Sequence, residues 1–140
     1  MFIPAGVLVL GLAGFLALRG VQRARYGEVH AEGTGTIAVD RGDRFSLAVP
    51  DRGASVGDHW TMSAEPDGTI SFVRSQLIAG NIVDRVLGPA PGGGGGTRYF
   101  VFDAHRPGTV TVTLHNCFQG CRDERTREAS HDATWTVSVR

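Results

Sequence analysis

The chain has 140 residues, with 14 arginines, no lysine and 14 acidic residues, for a formal net charge of zero. Arg19, Arg23 and Arg25 precede Gly27 while every carboxylate follows it, so the part from Gly27 onward carries 11 arginines against 14 acids. A mildly acidic part lacks the basic face that nucleic acids require, and one domain is the expectation at this length.

Phe2 to Leu18 is an uncharged run of Leu, Val, Ala and Gly with no polar face. Its length reaches the lower end of the transmembrane range, which predicts one N-terminal membrane helix. The nearest small-residue cleavage pattern, Val29-His30-Ala31, stands well past the apolar run and behind three arginines. A retained single-pass anchor in the cell membrane is therefore expected rather than a cleaved signal. Residues 1–26 are assigned to the anchor and its basic flank, 27–35 to a polar linker, and 36–140 to one domain. The basic flank after the apolar run favours a cytoplasmic domain by the positive-inside rule.

Thr36 to Val39 reads as the first strand, and Asp40-Arg41-Gly42-Asp43 as a turn. Phe45, Leu47 and Val49 alternate with Arg44, Ser46 and Ala48, the period of a half-buried strand, with Pro50 expected to end it. A loop from Asp51 to His59 leads to a strand opened by Trp60, a candidate core residue. Glu65-Pro66-Asp67-Gly68 is a turn by residue type. Thr69 to Val73 is a further strand, and Gln76 to Val86 favours strand over helix because Ile78, Ile82 and Val83 are β-branched.

The segment from Leu87 to Thr113 is the most informative. Five successive glycines, Gly92, Gly93, Gly94, Gly95 and Gly96, follow Pro89 and Pro91. Five residues without Cβ cost too much entropy to sit inside a helix or strand. They form either a loop that lets another backbone approach or a slack linker. Tyr99 and Val101 then alternate with Phe100 and Phe102, and Val110, Val112 and Leu114 share a face after Arg106-Pro107-Gly108. Two β-runs about a short Pro-Gly loop predict a hairpin. Past Asn116-Cys117-Phe118, the mixed charges of Arg122 to Glu128 read as a solvated excursion. Thr134 to Val139 closes the domain, with Trp135, Val137 and Val139 on one face. Short β-rich runs separated by turn residues predict an all-β, immunoglobulin-like sandwich of about seven strands.

Pro-Gly-Gly-Gly-Gly-Gly-Thr before an aromatic strand, then Arg-Pro-Gly-Thr and Thr-Val-Thr-Leu, resembles the chagasin-type inhibitors of papain-like cysteine proteases. The resemblance spans about residues 42–140. It implies three loops that occlude a protease cleft sterically, with a papain-like cysteine protease as partner, a monomeric inhibitor, no enzyme activity and no cofactor. In the first loop the resembled pattern is Asn-Pro-Thr/Ser-Thr-Gly-Tyr/Phe-x-Trp. Ser55, Gly57 and Trp60 match it, Val56 does not, and Asp58 stands where the pattern has an aromatic. Burying that charge in a partner's cleft resists desolvation. On this basis Asp58→Tyr is expected to strengthen protease binding. In the third loop Asn116, Cys117 and Phe118 replace Arg-Pro-Trp, so Phe118 is the expected apolar anchor and Phe118→Ala is expected to weaken binding. The resemblance and the cysteine pair point to an extracytoplasmic domain, against the basic flank. The alternative function is a non-inhibitory binding or scaffold module of the same fold at the envelope surface.

Cys117 and Cys121 are the only cysteines. A disulfide closing a very short loop is favoured; free thiols, or a metal site with His115 and His131, remain alternatives. No metal is assigned. Ser55, Asp58 and His59 are too close in sequence for a hydrolase triad, and Gly-x-Ser-x-Gly is absent. The glycine run lacks the Lys-Ser/Thr of a phosphate loop.

Overall fold

The computed structural model describes residues 24–79 and 95–140. Among them eight strands are formed: β1 (Glu28–Ala31), β2 (Thr36–Val39), β3 (Arg44–Asp51), β4 (Trp60–Glu65), β5 (Ile70–Ala79), β6 (Gly96–Ala104), β7 (Gly108–Asn116) and β8 (His131–Val139). They make two four-stranded sheets of order β1-β3-β6-β5 and β2-β8-β7-β4. β1 joins β3 and β2 joins β8 in parallel, while every other pairing is antiparallel. Among the described residues no helix is long and apolar enough to cross a membrane. The expected membrane segment, Phe2 to Leu18, lies outside them.

The period-two pattern explains the core directly. Phe45, Leu47 and Val49 of β3 and Phe100 and Phe102 of β6 face Val110, Val112 and Leu114 of β7 and Trp135, Val137 and Val139 of β8 across the two sheets. Phe45 and Phe102 stack with ring centroids 5.4 Å apart. Trp60 only packs against the edge of this cluster and stays half-buried. The tryptophan between the sheets is Trp135, 1% exposed, whose indole N–H donates to the Ala31 carbonyl at 3.1 Å. Trp60 is on β4, which pairs only with β7, so its sheet edge leaves one side of the ring uncovered.

β6 and β7 do not form the expected hairpin. β6 pairs with β3 and β5 in the first sheet, and β7 with β4 and β8 in the second. The Arg106-Pro107-Gly108 connection therefore crosses between sheets. Alternation shows which side of each run is apolar but not whether two runs lie side by side or face to face. Here both apolar faces are needed to fill the same core, and facing each other achieves that.

Two other expectations change. Pro50 lies inside β3, opposite Thr97, because β1 covers β3 only from Phe45 to Ala48 and leaves a free edge at Pro50. Residues 122–128 are not a loose excursion: Glu124–Glu128 forms a short helix, α1, whose N-cap Asp123 accepts from Thr126 N while Thr126 Oγ1 accepts from Asp123 N. Gln76 to Ala79 continues β5 as strand, while residues 80–86 lie outside the described residues.

The expected linker, residues 27–35, contains β1. Its pattern is mostly exposed, as an edge strand allows, so no alternation marks it in the sequence. The residues before it cross the outer face of the first sheet. The Tyr26 carbonyl accepts from Ser46 Oγ at 2.6 Å, and the Arg25 carbonyl accepts from Arg74 at 2.8 Å. The Tyr26 ring lies 5.3 Å from that of Tyr99. Gly27, at φ 63°, lets this crossing turn into β1, since a Cβ there would stand 1.7 Å from the Arg44 carbonyl oxygen. Gly27→Ala is therefore expected to cost about 1–3 kcal/mol through backbone strain and displaced strand pairing. Urea denaturation of parent and variant measures it.

Candidate functional site

The strand register brings two loops, and the strand ends that flank a third, to one end of the sandwich. Asp51 pairs with Gly96, and Gly96 with Ala79, at one end of the first sheet. Trp60 pairs with Asn116, and Asn116 with His131, at the adjoining end of the second. Residues 52–59 and 117–130 leave the sandwich there, where β5 ends at Ala79 and β6 begins at Gly96, opposite the turns at 40–43, 66–69 and 105–107.

The first loop is shaped by its own carbonyls and glycines. The Gly53 carbonyl accepts from the backbone N–H groups of Val56, Gly57 and Asp58 at 3.2, 3.2 and 3.3 Å. Asp51, itself buried, accepts from Gly53 N at 2.7 Å and from Arg98 Nε at 2.7 Å. This fold-back leaves Ser55 and Val56 at the tip, and Val56 is 42% exposed.

Asp58 points the other way. Its side chain is 2% exposed. The carboxylate accepts from Arg52 N at 2.6 Å, from Arg52 Nε at 2.9 Å and from Asn116 Nδ2 at 3.0 Å. Burial pushes its pKa upward, but the hydrogen bonds from Arg52 and Asn116 and the arginine charge outweigh that and hold it below the ordinary carboxylate value. Asn116 is buried as well and uses its Oδ1 to accept from His59 N at 2.9 Å. Asp58 is therefore a clasp between two loops, its carboxylate turned away from solvent. This also removes it from any catalytic grouping with Ser55.

Phe118 is likewise turned inward. It is 7% exposed, and the Arg52 guanidinium lies over its ring at 4.3 Å. The same guanidinium donates to the Ala129 carbonyl at 3.0 Å. Phe118 N donates to Ser130 Oγ at 2.9 Å. The expected exposed anchor is thus a packing residue of the third loop. The ring was displaced from solvent because Arg52, drawn in by Asp58, covers it.

The loop tips meet at Gln119. Its backbone N–H donates to the Gly57 carbonyl at 2.9 Å and its side-chain amide to the Val56 carbonyl at 3.1 Å. Gln119 adopts φ 47° and Cys121 φ 40°, a left-handed turn uncommon for residues with a Cβ. Cys117 and Cys121 are joined by a disulfide across this turn, with Cα atoms 5.1 Å apart. His131 contacts Glu32 and stands edge-on to Trp60 instead of joining the cysteines. In the second loop only Gly95 and Gly96 are described; Gly92, Gly93 and Gly94 lie outside the described residues. A Cβ on Gly95 would lie 2.8 Å from the Asp51 carbonyl oxygen, and one on Gly96 would lie 2.1 Å from that of Ile78. Close backbone approach thus explains glycine at both positions.

No family model matches the sequence, and no curated protein matches it either. Solved structures do. The cysteine protease inhibitor EhICP2 from Entamoeba histolytica superposes with a TM-score of 0.57 at 16% identity, over 81% of this chain and 94% of that one. PbICP-C, solved in complex with falcipain-2, gives 0.56 at 12% identity, over 81% and 100%. Amebosin gives 0.54 at 19% identity, over 80% and 96%. The fold is that of the chagasin-type inhibitors. Within this chagasin-like fold, the contacts among the first and third loops were invisible to motif matching. A charge at an aromatic position reads as erosion until Arg52 and Asn116 are seen to satisfy it.

Asp58→Asn is expected to lower stability at pH 7 by about 2–3 kcal/mol, at the low end for a buried pair because Arg52 is half in water. The depressed pKa adds stability that is present above the ordinary carboxylate value, near 4, and is lost as pH falls through the folded value. The gap between parent and Asp58→Asn therefore narrows below about pH 4. Urea midpoints measured from pH 7 to pH 3 follow it. Asp58→Tyr, expected from the motif to strengthen binding, is now expected to lower the urea midpoint and to weaken the loop end.

Proposed function

We propose that this protein inhibits papain-like cysteine proteases by seating its loop end in the active-site cleft, and that Phe2 to Leu18 tethers it to a membrane. The observation that carries the first part is a loop end already assembled in the free chain, on a fold shared with EhICP2 and PbICP-C. Inhibition is steric: no bond is made or broken. The Asp58 clasp and the Gln119 contacts have already ordered the first and third loops. Less conformational entropy is then lost on docking, which favours binding by a surface of modest area. Val56, exposed at the tip, supplies the apolar contact there. The glycine run, with no side chains to clash, is expected to add backbone contacts to the protease. With Asp58 in place of an aromatic and Phe118 turned inward, two aromatic anchors fewer are offered. Each well-buried anchor lost costs on the order of 2–4 kcal/mol, or about one and a half to three decades in the dissociation constant, and the two losses need not add.

The protein is titrated against papain and a cathepsin-L-type enzyme while peptide hydrolysis is followed. Reversible competitive inhibition is expected. Val56→Asp is expected to weaken it at least about tenfold, the equivalent of about 1.4 kcal/mol, with an unchanged urea midpoint. Absence of inhibition at micromolar concentrations would overturn the proposal in favour of a non-inhibitory surface-binding module.

We further propose that the domain faces an oxidising, extracytoplasmic compartment. The Cys117–Cys121 disulfide favours that side, although Arg19, Arg23 and Arg25 pull the orientation the other way. Thiol labelling with a membrane-impermeant reagent on intact cells checks it. Labelling is expected only after reduction; cysteines that react without reductant, and only after lysis, would place the domain inside. Mass spectrometry of the mature chain is expected to retain Phe2 to Leu18, and an N-terminus at Glu32 would overturn the tether.

A further inference from the structure

The outer side of the second sheet brings together three donors that protease inhibition does not use. Along β7, Leu114 and Asn116 are buried while His115 is exposed, and Cys117 continues on the side of His115. The left-handed turn through Gln119 returns Cys121 to the same place. One imidazole nitrogen of His115 and the sulfurs of Cys117 and Cys121 all lie within 4.8 Å of one another. Asp132 stands opposite His115 in the β7–β8 register, and its carboxylate meets His115 Nδ1. A neutral imidazole whose Nδ1–H is held by a carboxylate keeps its lone pair on Nε2. This second partner fixes the tautomer and orients the ring of many metal-binding histidines.

We propose that, when its disulfide is reduced, this cluster binds one copper(I) ion through His115, Cys117 and Cys121, with Asp132 as the positioning residue. The inference does not depend on the inhibitory function. The chemistry balances simply. A dithiol supplies two electrons and two protons and becomes a disulfide; a phosphine supplies the electrons and becomes a phosphine oxide, with one water giving the oxygen and the two protons. The protein disulfide takes up these electrons and two protons to give two thiols. Copper(I) then takes the two thiolates and the imidazole, releasing the two thiol protons. Two soft thiolates select copper(I) over harder cations. The donor number argues the same way. Among the described residues His131, which would complete a closed, four-ligand structural zinc site, is occupied by Glu32 and packed edge-on to Trp60, leaving three donors. The bound ion would bridge the same two residues as the disulfide. Gln119, between them, would then keep its hold on the first loop in either state.

The test uses the full chain in detergent, reduced with a phosphine, freed of reductant without air, and titrated with copper(I) against a chromophoric copper(I) chelator. The reduced chain is expected to withdraw one equivalent and release two protons, and the oxidised chain to withdraw none. Asp132→Asn is expected to weaken binding about tenfold to a hundredfold, and His115→Ala at least as much. His115 is an exposed strand residue, so this variant tests the ligand without emptying the core. Failure of the reduced chain to compete would overturn the proposal. So would a His115→Ala variant that binds as tightly as the parent, or a preference for zinc(II) when both ions are offered.

Discussion

The organisation of the loop end depends on one buried carboxylate. Removing Asp58 from water carries a desolvation cost that only well-placed donors offset. They come from two separate segments: the backbone and side chain of Arg52, and the amide of Asn116 at the end of β7. Each of those partners is committed further. Asn116 accepts from His59 N, and Arg52 covers Phe118 and reaches the Ala129 carbonyl beyond it. A single negative charge thereby sets the separation of the first and third loops and the burial of an aromatic ring. Phe118 is held from above by a cation and from its backbone by Ser130, which is itself anchored on the Thr126 carbonyl of α1 at 2.8 Å. The charged stretch that looks solvated in the sequence is thus part of the support.

This arrangement changes what a steric inhibitor of this architecture can present. An aromatic at the position of Asp58 would project outward only if the loop were held by something else. Here the loop is held by the residue at that position, and among the described residues its tip presents Val56. The left-handed turn at Gln119 reinforces that hold, because its amide groups bind two carbonyls of the first loop. A cross-link between Cys117 and Cys121 spans that turn. Any chemistry at the cysteines is therefore coupled to the geometry of a loop that contains neither of them.

At the opposite end, Tyr26 and Gly27 tie the N-terminal residues to the outer face of the first sheet before β1 pairs with β3. The sandwich consequently begins earlier than the first apolar alternation. An edge strand needs backbone partners but few buried side chains, so Glu28 to Ala31 leaves almost no trace in hydropathy.

The amino-acid order alone shows the all-β class, the apolar face of each long strand, and the turn positions at Gly42 and Gly68. Those follow from period-two burial and from residue-specific backbone preferences, which are local. It also carried the resemblance that the superpositions with EhICP2 and PbICP-C bear out for the fold. Only the tertiary structure decided that β6 and β7 belong to different sheets, that Trp135 and not Trp60 lies between them, and that Asp58 and Phe118 face inward. Each of these depends on which residue meets which across long sequence separations: Asp58 with Asn116, Arg52 with Ala129, Trp135 with Ala31. Local patterning gives every strand its inner and outer side. It carries no record of the partner that will satisfy a buried charge.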